Sequence, residues 1–371
     1  MALANLRVYL DSNPADEEQL DLFREIRVDQ AIGMAGEAEL EIDLTLDDQG
    51  LWSMIEEDFV QAFRRIRIEV RLGEGEFSAL IDGPIVAQRF ELGAGPGTSK
   101  LTLVVHDDSV LLNQVESVAL FEDKSPDQIA ETLITDGGLI AEVETVPAAG
   151  SAYTRYVVQR GTAMQLLRDL ARRHGMFAYV KPGDTPGQSI GVFARPSMVR
   201  GVASELLLIG EERNISKFSV QLDALLPTAA KTGSVRLSDS TIITSEATTA
   251  AIDPLGPEAL HSALVPQAVS LIGNAREEQN DIDAATAAAV DLSAFAYTAT
   301  TEIDANDYDT VLSPYQVIGV AGPGGYLGGD YLISRVQHVI NDSGYKQNLT
   351  LKRNARSGGS SGAGGLPGGI F

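Results

Sequence analysis

Residues 37–46 read EAELEIDLTL, in which polar and apolar side chains alternate without an exception. Successive side chains of a β-strand point to opposite sides, so the pattern predicts a strand with one buried face and one acidic face in water. The alternation returns at 65–72, where we expect four aliphatic residues to face inward and four charged residues to face the solvent, namely Arg65, Arg67, Glu69 and Arg71. Both segments therefore predict amphipathic antiparallel β-structure.

Three more strands are predicted in the first hundred residues, at 77–81, 85–90 and 101–105. The first follows a turn at 73–76 and is expected to end at Gly83-Pro84, since proline cannot donate a hydrogen bond within a sheet. A glycine-rich loop at 93–97 precedes the last. This spacing is typical of an antiparallel meander or barrel.

Two helices are predicted further along the chain. Ser125 and Gln128 form a capping box with proline at the first helical position, and Gly137-Gly138 ends that helix. Thr162 and Gln165 form a second capping box, before a helix that is expected to end at Gly175. A strand at 176–180 follows, so this region is predicted to be α+β.

The rest of the chain divides into three segments. Residues 239–309 are rich in Ala and Thr, contain one strong helical candidate at 281–294, and are expected to be a variable insertion. Alternation resumes in 331–340 and 345–353, which predict a hairpin. Residues 356–371 are mostly Gly and Ser and are expected to be a flexible tail.

The composition limits the classes of function. Acidic residues outnumber basic residues 52 to 28, giving a net charge of −24, which argues against direct nucleic-acid binding. The absence of cysteine excludes disulfides and thiolate metal sites. No apolar run of about 18 residues and no signal-peptide pattern is present, so we expect assembly in the cytoplasm and no membrane insertion.

Two separated segments resemble the late control gene D family and the N-terminal hub part of the type VI secretion protein VgrG. One is 156–180, YVVQRGTAMQLLRDLARRHGMFAYV, which resembles the family's strand, capped helix, glycine stop and strand. The other starts with 328–338, GGDYLISRVQH, and continues through Gly344-Tyr345 to 349–354, LTLKRN, which resembles its closing hairpin.

The resemblance implies a phage baseplate hub that is mainly β with α+β insertions. Each chain would contain two tube-like antiparallel β-barrel domains, and a homotrimer would form a pseudo-sixfold ring. The corresponding first barrel is 1–110, and 200–238 is a candidate for completing it. The second barrel consists of an α+β segment at 111–199 and closing strands at 310–355. The insertion is 239–309, and the tail is 356–371.

The expected partners follow from the same resemblance. They are an inner tube protein, a separate spike protein, baseplate wedge components, and a tape-measure protein or cargo. The particle would be a phage or an extracellular contractile injection system. The acidic face formed by Glu37, Glu39, Glu41 and Asp43 is expected either to line a negative lumen or to serve solubility alone.

No catalytic, cofactor-binding or metal-binding residue is predicted. The histidines have no metal-ligand spacing: His338 is expected to be packed in the interior, His174 to be a cation at a helix end, and His106 to precede a solvated turn. The sequence 358–362 matches the nucleophile-elbow pattern, without the flanking strand and helix that the pattern requires. The loop 322–327 fails the dinucleotide fingerprint, and 304–309 lacks the glycine of a calcium loop.

Two other functions remain open at this stage. A tail-associated peptidoglycan hydrolase would need convergent carboxylates in a cleft, although one tryptophan and 6% aromatic residues are few for a sugar-binding site. An oligomeric surface-binding β-protein would have ligand pockets at barrel mouths.

Overall fold

The computed structural model describes residues 5–95, 97–146, 156–236, 239–264, 268–273 and 278–357. The protein is mainly β, with 45% strand and 15% helix, and the described residues form several antiparallel sheets, none of them closed. The prediction of a mainly β protein is therefore confirmed. The two closed barrels and the threefold symmetry stay predictions.

The first β unit is a curled antiparallel sheet. Its strands follow the order β3-β4-β7-β6-β5-β1-β2, and their apolar sides share one core, so the sheet bends around that core. Its elements are β1 (Asn5–Leu10), β2 (Asn13–Pro14), α1 (Glu17–Leu20), β3 (Phe23–Ala31), β4 (Glu37–Asp43), a 3₁₀ turn (Asp58–Val60), β5 (Arg65–Arg71), β6 (Ser78–Glu91), β7 (Lys100–His106) and a second 3₁₀ turn (Asp108–Val110).

The expected strand end at Gly83-Pro84 is wrong, because β6 runs through both residues. The strand changes partner there: 78–84 pair with β5, and 85–91 pair with β7. Gly83 is required because a Cβ at this position would lie 1.8 Å from the carbonyl oxygen of His106. The two residues therefore mark a corner at which two strands approach closely, rather than a strand end.

The alternation predicts the faces of β4 correctly and those of β5 only in part. Ala38, Leu40 and Ile42 are fully buried, but β4 ends at Asp43, and Leu46 is 54% exposed in a turn that bridges to Trp52. On β5, Arg67 and Glu69 are buried, not solvated as predicted, because another part of the chain covers this side of the strand.

The α+β unit follows the first β unit and has a core of its own. Both predicted capping boxes are present: the side chain of Gln128 accepts the backbone N–H of Ser125, and Gln165 and Thr162 exchange the same kind of bond. The elements are β8 (Glu116–Glu122), α2 (Pro126–Asp136), β9 (Ile140–Val143), β10 (Tyr156–Thr162), α3 (Ala163–Arg173), β11 (Phe177–Pro182) and β12 (Ser189–Ala194).

The insertion at 239–309 stays a prediction, and strand pairings cross both of its limits. Strand β15, which lies before residue 239, pairs with β16 and β18, whereas β19 joins the large sheet. α5 packs on β15 and β16 and also contacts α3. We call this group the insertion unit: β15 (Ala229–Val235), β16 (Ile242–Ala247), β17 (Glu258–Ala259), α4 (Leu260–Ala263), β18 (Val269–Ile272) and α5 (Gln279–Ser293).

The second β unit contains the predicted closing hairpin and has a separate core. Its strands are β13 (Leu206–Leu207), β14 (Phe218–Leu222), β19 (Tyr297–Asp304), β20 (Val317–Ala321), β21 (Gly329–Asn341), β22 (Gly344–Arg353) and β23 (Ala355–Arg356). β13 pairs with β20, β14 with β19, and β15 with β16 and β18, so no described strand of 200–238 pairs with residues 1–110.

The two β units are joined edge to edge. β21 pairs with β3 over seven residue pairs, from Arg335–Ala31 to Asn341–Glu25, and this makes one continuous sheet of both units. In the described part of the chain no helix is long and apolar enough to span a bilayer. Residues 358–371, which include the nucleophile-elbow match and most of the tail, lie outside the described residues.

Candidate interaction surface

The shared sheet has one continuous polar face, which we call the polar sheet face. The cross-strand register places side chains on this side from β14, β19, β22, β21, β3, β4, β7 and β6 in turn. The opposite sides of these strands contribute to the cores of the two β units. The face therefore extends across both units, and apolar residues on it are few, such as the pair Ala87–Val104 and the single residue Val339.

The four predicted acidic residues of β4 all lie on this face, and each one has a cationic or histidine partner. Glu41 lies 3.0 Å from the Lys100 ammonium, and Asp43 lies 3.1 Å from the Arg24 guanidinium. Glu39 pairs with Arg89, and Glu37 lies 3.0 Å from the His106 ring. The side chains are half-exposed, so each pair contributes modestly to stability, but together they compensate much of the negative charge.

The same compensation continues across the junction of the two units. Asp29 on β3 pairs with the Arg335 guanidinium on β21 through two hydrogen bonds, with 2.7 Å between Nε and Oδ1. Farther along, Lys346 on β22 lies 2.8 Å from Glu302 on β19. The polar sheet face thus carries mixed, internally paired charge rather than the plain negative charge that the β4 sequence predicts.

The face is concave over the second β unit. A groove of about 480 Å³ lies on β14, β19, β22 and β21, and its floor is made of hydroxyl, amide and charged side chains. Residues on the floor include Ser219, Thr300, Glu302, Gln337 and Asn348. A long molecule that passes along this surface would meet hydrated polar groups and little apolar area.

A larger cleft of about 870 Å³ borders the same face. It lies between α5, the start of β11 and the strands β21 and β22, and its apolar walls include Phe177, Met198, Ile252, Phe295 and Leu332. At the cleft, α5 and the start of β11 are therefore not packed directly on β21 and β22.

A buried charge cluster fixes the α+β unit on the first β unit. The Arg67 guanidinium lies 2.7 Å from Glu69 and 3.1 Å from Asp82, and it donates a hydrogen bond of 2.8 Å to the carbonyl oxygen of Gly183. The backbone N–H of Gly187 donates to Asp82 at 2.9 Å. Because all these charges have partners, the cluster holds the two units in one orientation.

Tyr315 lies where three units meet. Its ring stacks on Tyr179 of β11 with a centroid distance of 3.9 Å and makes an edge contact with Phe177. Its hydroxyl accepts the backbone N–H of Gly33, in the turn between β3 and β4, at 2.8 Å. Burial raises the pKa of Tyr179 to about 12 and raises that of Tyr315 as well, so both hydroxyls stay protonated.

The structure places the four histidines on separate elements. His338 is fully buried, as predicted, and its Nδ1 lies 2.7 Å from the Tyr345 hydroxyl; burial lowers its pKa to about 3. Burial and the nearby Arg195 lower the pKa of His174, so the predicted cation at this helix end is wrong. His261 is also buried, on α4.

The residues after His106 do not form a solvated turn. Asp107 is buried and accepts backbone N–H groups from Gly36 and Ser109, and its burial raises its pKa. Asp108 is buried against Arg65. Among the described residues no group of three or more His, Asp or Glu side chains is placed to hold a metal ion.

Sequence reasoning missed the buried charge cluster and the Tyr315 junction. The contacts by which they join different units, Arg67 with Gly183 and Tyr315 with Gly33, link residues more than 100 apart in the chain, so no local pattern reveals them. A signal in the sequence was the row of charged residues on one side of β5, of which the structure buries Arg67 and Glu69.

The fold is that of phage tail proteins and of VgrG-like proteins of the type VI secretion system. A 43 kDa tail protein of prophage MuSo2 from Shewanella oneidensis is similar over 95% of this chain and 98% of its own, with a TM-score of 0.65 and 14% identity. A tail protein from Neisseria meningitidis MC58 has a TM-score of 0.67 and 12% identity, over 95% of this chain and 97% of its own.

A third similar structure comes from E. coli. It is a component of the type VI secretion system described as similar to T4 bacteriophage tail proteins, and it matches with a TM-score of 0.50 and 11% identity, over 94% of this chain and 76% of its own. No protein-family model and no curated protein sequence matches the chain. These likenesses confirm the resemblance to phage tail and VgrG-like proteins that the two sequence segments indicate.

Proposed function

We propose that the protein is the structural baseplate hub of a contractile phage tail or of a phage-tail-like injection system. Three copies would join a sixfold inner tube to a threefold spike, which is a separate protein. The observation that carries the proposal is the joining of two curled β units, each with its own core, into one sheet through β3 and β21.

The proposed mechanism is geometric. Two similar units in each of three copies give six near-equivalent positions, which a sixfold tube can contact, while the assembly itself keeps threefold symmetry. The hydrogen bonds between β3 and β21 and the Asp29–Arg335 pair tie the units together. The hub therefore needs no moving part and no catalytic residue, in agreement with its likeness to structural tail proteins.

We further propose that the polar sheet face lines the central passage. Its internally paired charges favour neither an acidic nor a basic molecule, so DNA, a tape-measure protein or a protein cargo would slide along it without binding. This replaces the negative lumen expected from β4 alone. The baseplate wedge components would contact the outside of the ring.

The mass of the purified protein in solution, alone and with the tube and spike proteins encoded beside it, tests the proposal. We expect a trimer, stabilised by the spike protein, that caps rings of the tube protein. A cell-wall lysis assay on the same sample covers the rival function, for which we expect no activity. A monomer that stays monomeric with both partners and lyses cell walls would overturn the hub.

A further inference from the structure

Two small sheets outside the shared sheet each leave one apolar face uncovered. The first is the two-stranded ribbon of β8 and β10, in which Val118 is 83% exposed, Leu120 55%, Tyr156 43% and Val158 39%. The register puts all four side chains on one side of the ribbon. We call this side the ribbon face.

The second uncovered face belongs to the insertion unit, on the sheet β16-β15-β18. Val235 and Ile242 form a cross-strand pair and are 50% and 78% exposed, and Leu271, opposite Lys231, is 83% exposed. We call this side the insertion face. The other side of this sheet packs on α5, with Ala230 and Ile243 buried.

The two faces belong to sheets that are connected through α3 and α5. The inner side of the ribbon, with Phe121 and Val157, packs on the core that α3 shares. α3 in turn contacts α5, where a Cβ on Gly175 would lie 3.6 Å from Ala288, and α5 covers the inner side of the insertion sheet. α3 and α5 thus lie in the chain of contacts between the ribbon and the insertion sheet, and each of these sheets leaves its other side exposed.

A ring of identical chains needs this arrangement. In a cyclic trimer each copy contacts the next through two different surfaces, one on each side, whereas a foreign partner would need only one. Specific interfaces bury about 800 Å² on each partner, with an apolar centre and a polar rim. The ribbon face supplies such a centre, with Glu116 and Glu122 at its ends, and the insertion face supplies apolar residues on both sides of the Lys231–Glu246 ion pair of its middle and outer strands.

The ribbon also has unpaired edges. Among the described strands, β8 pairs only with β10, and β10 only with β8. Exposed apolar strands with free edges promote aggregation unless something covers them. A neighbouring copy covers them in every subunit of a closed ring.

We propose that the ribbon face of one copy packs against the insertion face of the next copy in the trimer. This inference rests on the proposed homotrimer and assigns its contact. It predicts that the ring is held at its periphery by the α+β and insertion units, in addition to any contact between the β units.

Cysteine cross-linking tests this contact directly, because the chain contains no cysteine. A variant with Val118→Cys and Leu271→Cys is treated with a short bismaleimide and separated under denaturing conditions. We expect covalent dimers and trimers from this variant and none from either single variant. The control pair Val118→Cys with Val202→Cys, the latter at a fully exposed position, should stay monomeric on the gel.

Three other results of the cross-linking and mass measurements would contradict the proposed contact, and they differ in what they imply. Dimers from Val118→Cys alone would mean that two ribbons meet symmetrically. A wild-type trimer without cross-links in the double variant would overturn this contact and leave the hub proposal intact. A wild-type chain that stays monomeric alone and with its tube and spike partners would overturn both.

A charge substitution gives a second measurement. Val118→Asp should raise at least tenfold the protein concentration at which the trimer dissociates into monomers, and its circular dichroism spectrum should equal that of the wild type. Val202→Asp should leave this concentration unchanged. A Val118→Asp variant that is as trimeric as the wild type would also contradict the proposed contact.

Discussion

The buried charges between β5 and the α+β unit are the residues whose replacement should cost the most stability. Arg67 is 3% exposed and contacts Glu69, Asp82 and the carbonyl oxygen of Gly183 at once. Removing one member of such a cluster leaves the other charges buried without compensation, which costs far more than losing an exposed pair.

We expect Arg67→Met to lower the free energy of unfolding by about 3–5 kcal/mol, because Glu69 and Asp82 stay buried. Urea denaturation measures the change. Arg172→Met is the matched control, since Arg172 pairs with Asp169 on the surface of α3, and we expect it to cost about 0.5 kcal/mol or less. Equal losses in the two variants would contradict the role assigned to the cluster.

His338 makes stability depend on pH. In the folded protein burial lowers the pKa of His338 to about 3 from an ordinary value of 6.5. Between these two values the imidazole is therefore protonated in the unfolded chain and neutral in the folded chain. Its contribution is fully present above pH 6.5 and is lost as the pH falls from 6.5 toward 3. Between pH 6.5 and pH 5 the loss amounts to about 2 kcal/mol.

The variant His338→Gln tests this, since glutamine retains the ability to hydrogen-bond to Tyr345 and has no proton to gain. We expect the wild type to lose about 2 kcal/mol more than the variant between pH 7 and pH 5. The free energy of unfolding at the two pH values is the measurement. Parallel pH profiles would show that His338 titrates normally.

Single elements follow the local sequence wherever their partners are close in the chain. The alternation in β4, both capping boxes and the closing hairpin of β21 and β22 are all present as predicted. The sequence did not reveal that β6 continues through Gly83-Pro84, because the reason is the approach of His106 at the end of β7. Proline at a strand corner and proline at a strand end give the same local pattern.

We expect Gly83→Ala to destabilise the first β unit by on the order of 3 kcal/mol, because the new Cβ would collide with the carbonyl oxygen of His106 and separate β6 from β7. Gly233→Ala is the control in another strand, where the nearest atom is 3.8 Å away. Thermal unfolding followed by circular dichroism distinguishes them. A Gly83→Ala variant as stable as Gly233→Ala would contradict the close approach.

The whole molecule is organised by pairings that local patterns cannot reveal. β3 pairs with β21, about 300 residues later in the chain, and β15 pairs with β18 across the limit predicted at residue 239. The insertion at 239–309 therefore stays a prediction, and strand pairings of β15 and β19 cross both of its limits. The paired charges on the polar sheet face were missed for the same reason, since Arg89, Lys100 and Arg335 lie far from the residues that they neutralise.

The central claim is that three copies place six curled β units around one passage. Electron microscopy of the purified hub with its spike protein, averaged along the symmetry axis, measures this directly. We expect a threefold assembly with six similar densities around a central channel, the polar sheet face facing that channel. An assembly without threefold symmetry, or one in which the side chains of β4 face outward, would contradict the claim.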